Sequence, residues 1–226
     1  MKHVRFKKLR LWLAYPVFII YPFVARIADF SFVSGAVVIL IGMAVRFWAS
    51  GYIRKSRELA TAGPYAHTRN PLYLGNFIIG LGVCVVSTNV GLVVYYAIVF
   101  TLVYLGTIKE EEEVLAEKFG PPYKDYLRHV PRFWPSVRVY HLGKKTKFDL
   151  RLSFKNGEFI RLCGFSLLIL FFDLWRRLFV KKEALGMGGR GVLFLFVVFL
   201  GLLWFNIFIR RKSERSQRSG QSEART

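Results

Sequence analysis

Long runs of apolar residues, separated by short polar or basic stretches, constrain the fold of this chain more than any other feature. The clearest runs cover about 11–28, 32–50, 72–87, 90–108 and 192–209. Most are close to the ~20 residues that an α-helix needs to cross the hydrocarbon core of a bilayer. The 226 residues are 54% hydrophobic and 17% aromatic, which is too apolar for a soluble domain of this size. The sequence therefore predicts an all-α, polytopic integral membrane protein.

The number of spans depends on the stretch from Phe159 to Val180. Its uncharged core, Leu162 to Phe172, is only about as long as a re-entrant or interfacial segment. We predict about six transmembrane helices, and five if this stretch does not span.

Charge distribution predicts the orientation. Residues 1–10 carry five cations and no acid, and residues 109–158 carry eleven Lys and Arg. By the positive-inside rule, the N-terminus and this segment are cytoplasmic. The net charge of +20 then indicates contact with anionic membrane lipids and not with nucleic acid. We expect an integral membrane protein, in the inner or plasma membrane if the chain is bacterial.

A polar, turn-rich stretch at 63–75 reads G-P-Y-A-H-T-R-N-P-L-Y-L-G and lies between two apolar runs. Asn70, which precedes Pro71, is driven towards an extended conformation, and Pro71 suits the first turn of the next helix. An ordered loop therefore meets the positive end of a helix. Its side chains of interest are Tyr65, His67, Arg69, Asn70 and Tyr73. The alternative is a plain cytosolic turn with an arginine at the headgroups.

The helix that begins near Val90 is predicted to continue into the cytosol as a helical extension. Residues 109–118 read K-E-E-E-E-V-L-A-E-K, all strong helix formers except one valine, and Gly120-Pro121-Pro122 ends them. Glu112 lies about 100° around the helix from Glu111. These glutamates either line a mouth between helices or form a solvated helix face.

The next stretch contains two tyrosines and a proline-bracketed arginine. Tyr123 and Tyr126 are three residues apart, so a short amphipathic helix would lay both rings at the membrane interface. Pro131 and Pro135 bracket Arg132 and hold its backbone. The alternative is an interfacial arginine.

Three further side chains occur inside apolar runs. Arg46 either reaches out to the headgroups, which we favour slightly, or faces a polar cavity. Cys84 and Cys163 have neither the spacing nor the setting of a disulfide or a metal site, so we predict packing roles for both and no metal.

Two of these stretches together resemble a known superfamily. They read G-P-Y-x-x-x-R-N-P-x-Y-x-G at 63–75 and E-E-x-x-L-x-x-x-F-G-x-x-Y-x-x-Y-x-x-x-V-P-R-F-x-P at 111–135. The pattern is similar to the isoprenylcysteine carboxyl methyltransferase and phospholipid methyltransferase superfamily, in a bacterial-type form. The resulting division is an N-terminal transmembrane helix, a methyltransferase-like core, a cytosolic linker, a C-terminal hydrophobic hairpin and a disordered basic tail: 1–34, 35–136, 137–158, 159–209 and 210–226.

The resemblance implies S-adenosylmethionine as methyl donor, bound at the cytosolic ends of the core helices. Carried over residue by residue, the cofactor-binding positions are Arg69, Asn70, Tyr73, Gly75, Glu111 and Glu112. Tyr65 joins them because its aromatic face, like that of Tyr73, can support a cation. The family's usual histidine is Asn70 here, which can hydrogen-bond but cannot titrate.

The resemblance also places Arg132 near the reacting end, as a catalytic residue. For a carboxylate acceptor, Arg132 would orient the nucleophile and no general base is needed. An amine or thiol acceptor requires a base, and Glu112 is then the candidate.

The favoured function is methyl transfer to a lipophilic or small-molecule acceptor. One alternative is a nicotinamide-dependent membrane reductase of the sterol-reductase type, with Arg54, Lys55 and Arg57 on a 2′-phosphate. The other is a non-catalytic membrane scaffold. The sequence does not define the oligomeric state.

Overall fold

A computed structural model describes residues 21, 24–54, 58–182, 186, 188–201 and 204 of the chain. The basic N-terminus, most of the predicted first span, Lys55, Arg57 and the tail from Arg210 lie outside the described residues. The chain divides into two compact units, one ending at Glu158 and the other beginning at Phe159.

The regular structure of the described residues is helical, and no strand occurs among them. The predicted all-α class is therefore confirmed for this part of the chain. The helices are α1 (Asp29–Ser50), α2 (Pro71–Ser87), α3 (Val90–Phe119), α4 (Pro121–His129), α5 (Leu150–Lys155), α6 (Glu158–Trp175) and α7 (Gly188–Gly201). A 3₁₀ turn covers Gly63–Ala66, and a π-helical turn, Arg176–Val180, follows α6.

Among the described helices, α1 and α3 are long and apolar enough to cross a membrane, and α2 and α7 are shorter apolar helices. Helix α3 has 30 residues, or about 45 Å at 1.5 Å per residue, which exceeds the ~30 Å hydrocarbon core. The predicted continuation of this helix is thus confirmed. It ends at Gly120, whose φ of 58° suits a residue without a Cβ. The total of six spans stays a prediction.

Glycines allow α1 and α2 to pack antiparallel at very short distance. A Cβ added at Gly42 would lie 2.7 Å from Ile79 Cγ1 and 2.8 Å from the Gly75 carbonyl oxygen. A Cβ at Gly82 would lie 2.6 Å from Ile39 Cγ1 and 2.8 Å from the Gly35 carbonyl oxygen. Small residues at such crossings let helix backbones approach one another. This contact fixes the position of α2 along the axis of α1, and hence the position of the α2 N-terminus relative to α1.

Gly42→Ala is expected to lower the stability of the protein by about 1–3 kcal/mol, the usual cost of overpacking. The added methyl group meets backbone, which cannot move as a side-chain tip can. Thermal unfolding in detergent measures the change. The matched control is Gly164→Ala in α6, where no described atom lies within 4 Å of the new Cβ. The control is expected to be neutral or slightly stabilising, and equal losses in both variants would contradict the packing argument.

The segment before α6 is tied to the C-terminal end of α1. The Asn156 side-chain amide donates to the carbonyl oxygens of Ser50 and Ile53, each at 2.9 Å. The Asp149 N–H donates to the Gly51 carbonyl oxygen at 3.1 Å. The bond to Ser50 satisfies one of the carbonyls that the C-terminus of α1 leaves open. They also place Glu158, the first residue of α6, beside α1.

Candidate active site

The two motif stretches lie side by side because their loops are hydrogen-bonded to one another. The Arg69 N–H donates to the Pro131 carbonyl oxygen at 3.0 Å, and the Ser136 N–H donates to the His67 carbonyl oxygen at 2.8 Å. The Thr68 hydroxyl donates to the Phe133 carbonyl oxygen at 2.8 Å. Backbone bonds therefore hold the arginine of one motif beside the arginine of the other.

Helix α4 supports these loops from behind. Tyr123 and Tyr126 are 1% and 2% exposed and pack with Val130, and the Tyr126 hydroxyl donates to the Tyr65 carbonyl oxygen at 2.6 Å. The expectation that both rings lie at the membrane interface is wrong: the apolar face of α4 covers protein, with Leu59 and Leu115 against it. Burial raises the pKa of Tyr123 to about 12 and raises that of Tyr126 further, so both hydroxyls stay neutral donors.

The Glu112 carboxylate lies between two guanidinium groups. Arg69 Nη2 is 3.1 Å from Oε1, while Arg132 Nη2 and Nε are 2.8 and 3.1 Å from Oε2. The side chains of Glu112 and Arg69 are each 11% exposed, and that of Arg132 is 39% exposed. Charge-assisted bonds of this kind are about twice as strong as neutral ones. Glu112 therefore connects the 63–75 loop with the 131–135 segment, and Arg132 is the member that remains accessible.

Glu111 faces the start of α2. The Tyr73 hydroxyl donates to Glu111 Oε1 at 2.7 Å, and Glu111 is exposed. The Tyr73 ring meets the edge of Tyr104 at 5.1 Å between centroids, and Tyr104 stacks on Phe100 at 4.1 Å. The accessible Glu111 carboxylate thus lies next to a cluster of aromatic rings formed by Tyr73, Tyr104 and Phe100.

Asn70 holds the backbone of Arg132. It precedes Pro71 with φ of −127° and ψ of 55°, which is outside the helical region but not the extended conformation that was predicted. The helix starts at Pro71, as predicted. Its side-chain amide donates to the Arg132 carbonyl oxygen at 2.9 Å. A second restraint is Phe133, whose ring packs on Phe77 and Phe100 at 5.6 and 5.7 Å. The position of Arg132 is therefore restrained by the hydrogen bond to its own carbonyl oxygen and by the packing of the adjacent Phe133.

Asn70→Ala is expected to weaken binding of S-adenosylhomocysteine by a factor of up to about ten, because the one neutral hydrogen bond that Asn70 is predicted to make with the cofactor contributes about 0.5–1.5 kcal/mol. Asn70→His should retain activity, since an imidazole N–H can also donate to the Arg132 carbonyl oxygen. Calorimetric titration measures the affinity. If Asn70→Ala leaves binding unchanged but abolishes turnover, the binding role is wrong.

Two buried polar atoms of the candidate site, Tyr65 Oη and Arg69 Nε, find no hydrogen-bond partner among the described residues. Tyr65 is 6% exposed, and burial raises the pKa of its hydroxyl well above the usual range, an effect that the nearby Arg46 charge opposes. A buried polar group without a partner is costly, so such atoms are candidates for contacts with a ligand.

Residues 30–122, which contain the first motif and both glutamates, match the family model for phospholipid methyltransferases. This segment is thus similar to the phospholipid methyltransferase family. The resemblance inferred from the two motifs is thereby confirmed.

Proteins similar to this chain occur in bacteria and in animals. The chain is 37% identical over 97 residues to the nickel-cobalt-cadmium resistance protein NccN of Alcaligenes xylosoxydans xylosoxydans, covering 42% of this chain and 45% of that protein. It is 32% identical over 134 residues to the cobalt-zinc-cadmium resistance protein CzcN of Cupriavidus metallidurans, covering 58% of this chain and 61% of that protein.

A third relative, the protein-S-isoprenylcysteine O-methyltransferase of Rattus norvegicus, is 34% identical over 88 residues, covering 39% of this chain and 31% of that protein. The chain thus spans about a third to three fifths of the length of these relatives. No solved structure matches it significantly. Within the described ranges, no group of three or more His, Cys, Asp or Glu is placed to hold a metal ion.

Gly75 differs from the other predicted site residues. A Cβ at this position would meet the Arg46 side chain and lie 2.9 Å from the Gly42 carbonyl oxygen. The close packing of α1 on α2 already accounts for a glycine here. Its role at the cofactor stays a prediction.

Sequence reasoning missed a buried ion pair on the α1 side of α2. Arg46 Nε and Nη2 lie 2.7 and 3.0 Å from the two carboxylate oxygens of Glu158. Arg46 and Glu158 are 5% and 1% exposed. The favoured expectation that Arg46 reaches the headgroups is therefore wrong, because a carboxylate is available inside the protein. The available signal was a cation in one apolar run and an acid at the edge of another.

Proposed function

We propose that this chain transfers a methyl group from S-adenosylmethionine to a lipophilic or small acceptor, at the cytosolic face of a membrane. The observation that carries the proposal is the Arg69–Glu112–Arg132 cluster beside the Tyr73–Glu111 pair, built on a segment of the phospholipid methyltransferase family.

The residues present suit this cofactor. S-adenosylmethionine carries an ammonium and a sulfonium, and exposed Glu111 with the faces of Tyr73 and Tyr104 suits cations. The unpartnered Tyr65 Oη and Arg69 Nε can bond to polar atoms of a ligand. When bound, the cofactor supplies an already activated methyl group. The task left to the protein is to align the acceptor and exclude water.

Arg132 is the residue proposed to hold the acceptor. It is the most exposed member of the cluster, and its guanidinium is oriented by two bonds to Glu112. Both Glu112 oxygens are engaged by guanidinium groups, which leaves Glu112 better suited to orienting Arg132 than to removing a proton. This arrangement favours an acidic acceptor such as a carboxylate, which needs no general base. The name of the rat relative, an O-methyltransferase of protein S-isoprenylcysteine, agrees with an oxygen nucleophile on a lipophilic molecule.

An apolar route to Arg132 is available from the side. Phe77, Phe100, Phe133 and Trp134 form one aromatic cluster next to Arg132, and Trp134 is 65% exposed. A lipophilic acceptor could enter along these rings from the bilayer, while a soluble cofactor enters from the cytosol.

The test is to incubate membranes containing the protein with methyl-labelled S-adenosylmethionine and to identify the labelled species by extraction and mass spectrometry. The double variant Glu111→Gln, Glu112→Gln serves as the inactive control, and Glu113→Gln on the exposed face of α3 as the matched active one. Thermal shift in detergent compares S-adenosylhomocysteine with NADPH. Stabilisation by NADPH alone would favour the reductase alternative, and stabilisation by neither would favour a non-catalytic scaffold.

A further inference from the structure

Arg46 connects the buried Glu158 carboxylate to the first turns of α2. Its Nη1 donates to the Leu72 carbonyl oxygen at 3.3 Å and to Asn76 Oδ1 at 2.6 Å. Its other edge, Nε and Nη2, is taken by Glu158. A guanidinium presents its donors in a rigid fork, so the bidentate grip of Glu158 determines where Nη1 points.

The pair is enclosed, so its geometry is determined by protein contacts. Arg46 is 5% exposed and Glu158 is 1% exposed. Gly75 leaves room for the Arg46 side chain, since a Cβ there would collide with it. A buried arginine that lost its carboxylate would be left with an uncompensated charge, and it would shift towards other acceptors or water.

The turns that Arg46 holds carry a residue of the proposed site. Tyr73 lies between Leu72 and Asn76, and its hydroxyl donates to Glu111 at 2.7 Å. A shift in the first turns of α2 therefore changes the position of Tyr73 relative to Glu111. The Arg69–Glu112–Arg132 cluster is held by other contacts.

Glu158 comes from outside the part of the chain that matches the methyltransferase family, residues 30–122. It follows a segment tied to the α1 C-terminus by Asp149 and Asn156. The segment before α6 thus positions the Glu158 carboxylate against Arg46, inside the part of the chain that matches the methyltransferase family.

We propose that Arg46 and Glu158 are a positioning pair, which sets the α2 N-terminus and thereby the Tyr73–Glu111 side of the cofactor site. The inference rests on the proposed function for its effect on cofactor affinity. Its effect on the order of α2 does not depend on any ligand.

The test uses the full chain in detergent and two readouts, hydrogen exchange of residues 71–79 without ligand and calorimetric titration with S-adenosylhomocysteine. Glu158→Gln is expected to speed exchange in these two turns and to weaken binding roughly three- to thirtyfold. When Glu158→Gln is combined with Tyr73→Phe, the loss of binding free energy should be smaller than the sum of the losses in the two single variants. Both changes act on the same contact, between Tyr73 and Glu111. A merely structural role predicts an additive result.

Two further variants keep the result interpretable. The apolar pair Arg46→Met with Glu158→Leu removes both charges, so it should fold with nearly normal stability yet show the weakened binding and faster exchange. Asp173→Asn is the matched control, since Asp173 is also a buried carboxylate paired with two arginines but lies in the second unit. It should change neither readout.

Unchanged exchange of residues 71–79 in Glu158→Gln and in the apolar pair would overturn the inference, and so would additivity with Tyr73→Phe. If the wild-type protein does not bind S-adenosylhomocysteine, the proposed function fails. The exchange readout then decides by itself whether the pair sets α2.

Discussion

Glu112→Gln is expected to destabilise the protein by roughly 3–5 kcal/mol, the usual cost of breaking a buried ion pair by removing one partner. The Arg69 side chain is 11% exposed, and its guanidinium would remain inside the protein without its carboxylate. The loop contact would also weaken, because Glu112 connects Arg69 with Arg132. Thermal unfolding in detergent measures the change in stability.

The same variant is expected to bind S-adenosylhomocysteine roughly tenfold to over a hundredfold more weakly, because Arg69, a predicted cofactor-binding residue, loses the charge-assisted contact of about 1.5–3 kcal/mol that orients it. Glu113→Gln is the matched control: it lies next to Glu112 on α3 but on an exposed face, so both quantities should remain near wild type. Similar unfolding temperatures for the two variants would show that Glu112 does not connect the loops as described.

Arg132→Lys is expected to lower turnover by roughly tenfold to a hundredfold while cofactor affinity stays near wild type, because a misplaced acceptor costs rate and not cofactor binding. The Arg132 side chain is oriented by bonds from both Nε and Nη2 to Glu112. An ammonium has no fork, so lysine cannot keep that orientation and also present a second pair of donors to an acceptor.

The matched control is Arg138→Lys, an exposed arginine shortly after the 131–135 segment, which should keep normal turnover. Turnover is measured with the acceptor that the labelling experiment identifies. If Arg132→Lys works almost as well as the wild type, Arg132 is an interfacial anchor and its catalytic assignment is wrong.

The position of Glu158 bears on how the methyltransferase-like core is completed. The buried Arg46 has its carboxylate partner 112 residues further along the chain, beyond the family match. A truncation after residue 122 would therefore leave Arg46 with an uncompensated charge inside the helix pair. Both Glu158 and the segment before α6 should therefore be kept in any variant that is used to study the core.

Local chemistry in the sequence determined where the main helices lie. Pro71 after Asn70 predicted the start of α2, and Gly120 before two prolines predicted the end of the long α3, as observed. These features depend on residues close in sequence: a proline fixes its own φ, and a glycine accepts a positive φ. The two motif stretches were likewise recognisable from sequence, because their residue types and spacing are local.

The tertiary structure alone decided which of those side chains meet. Arg46 pairs with Glu158, and Glu112 links Arg69 to Arg132, across separations that no local periodicity reports. Tyr123 and Tyr126 are buried, although their spacing fits an interfacial helix equally well. An amphipathic pattern shows that one face is covered but not whether lipid or protein covers it. The contacts of this face with Leu59 and Leu115, and the hydrogen bond from the Tyr126 hydroxyl to the Tyr65 carbonyl oxygen, show that protein covers it.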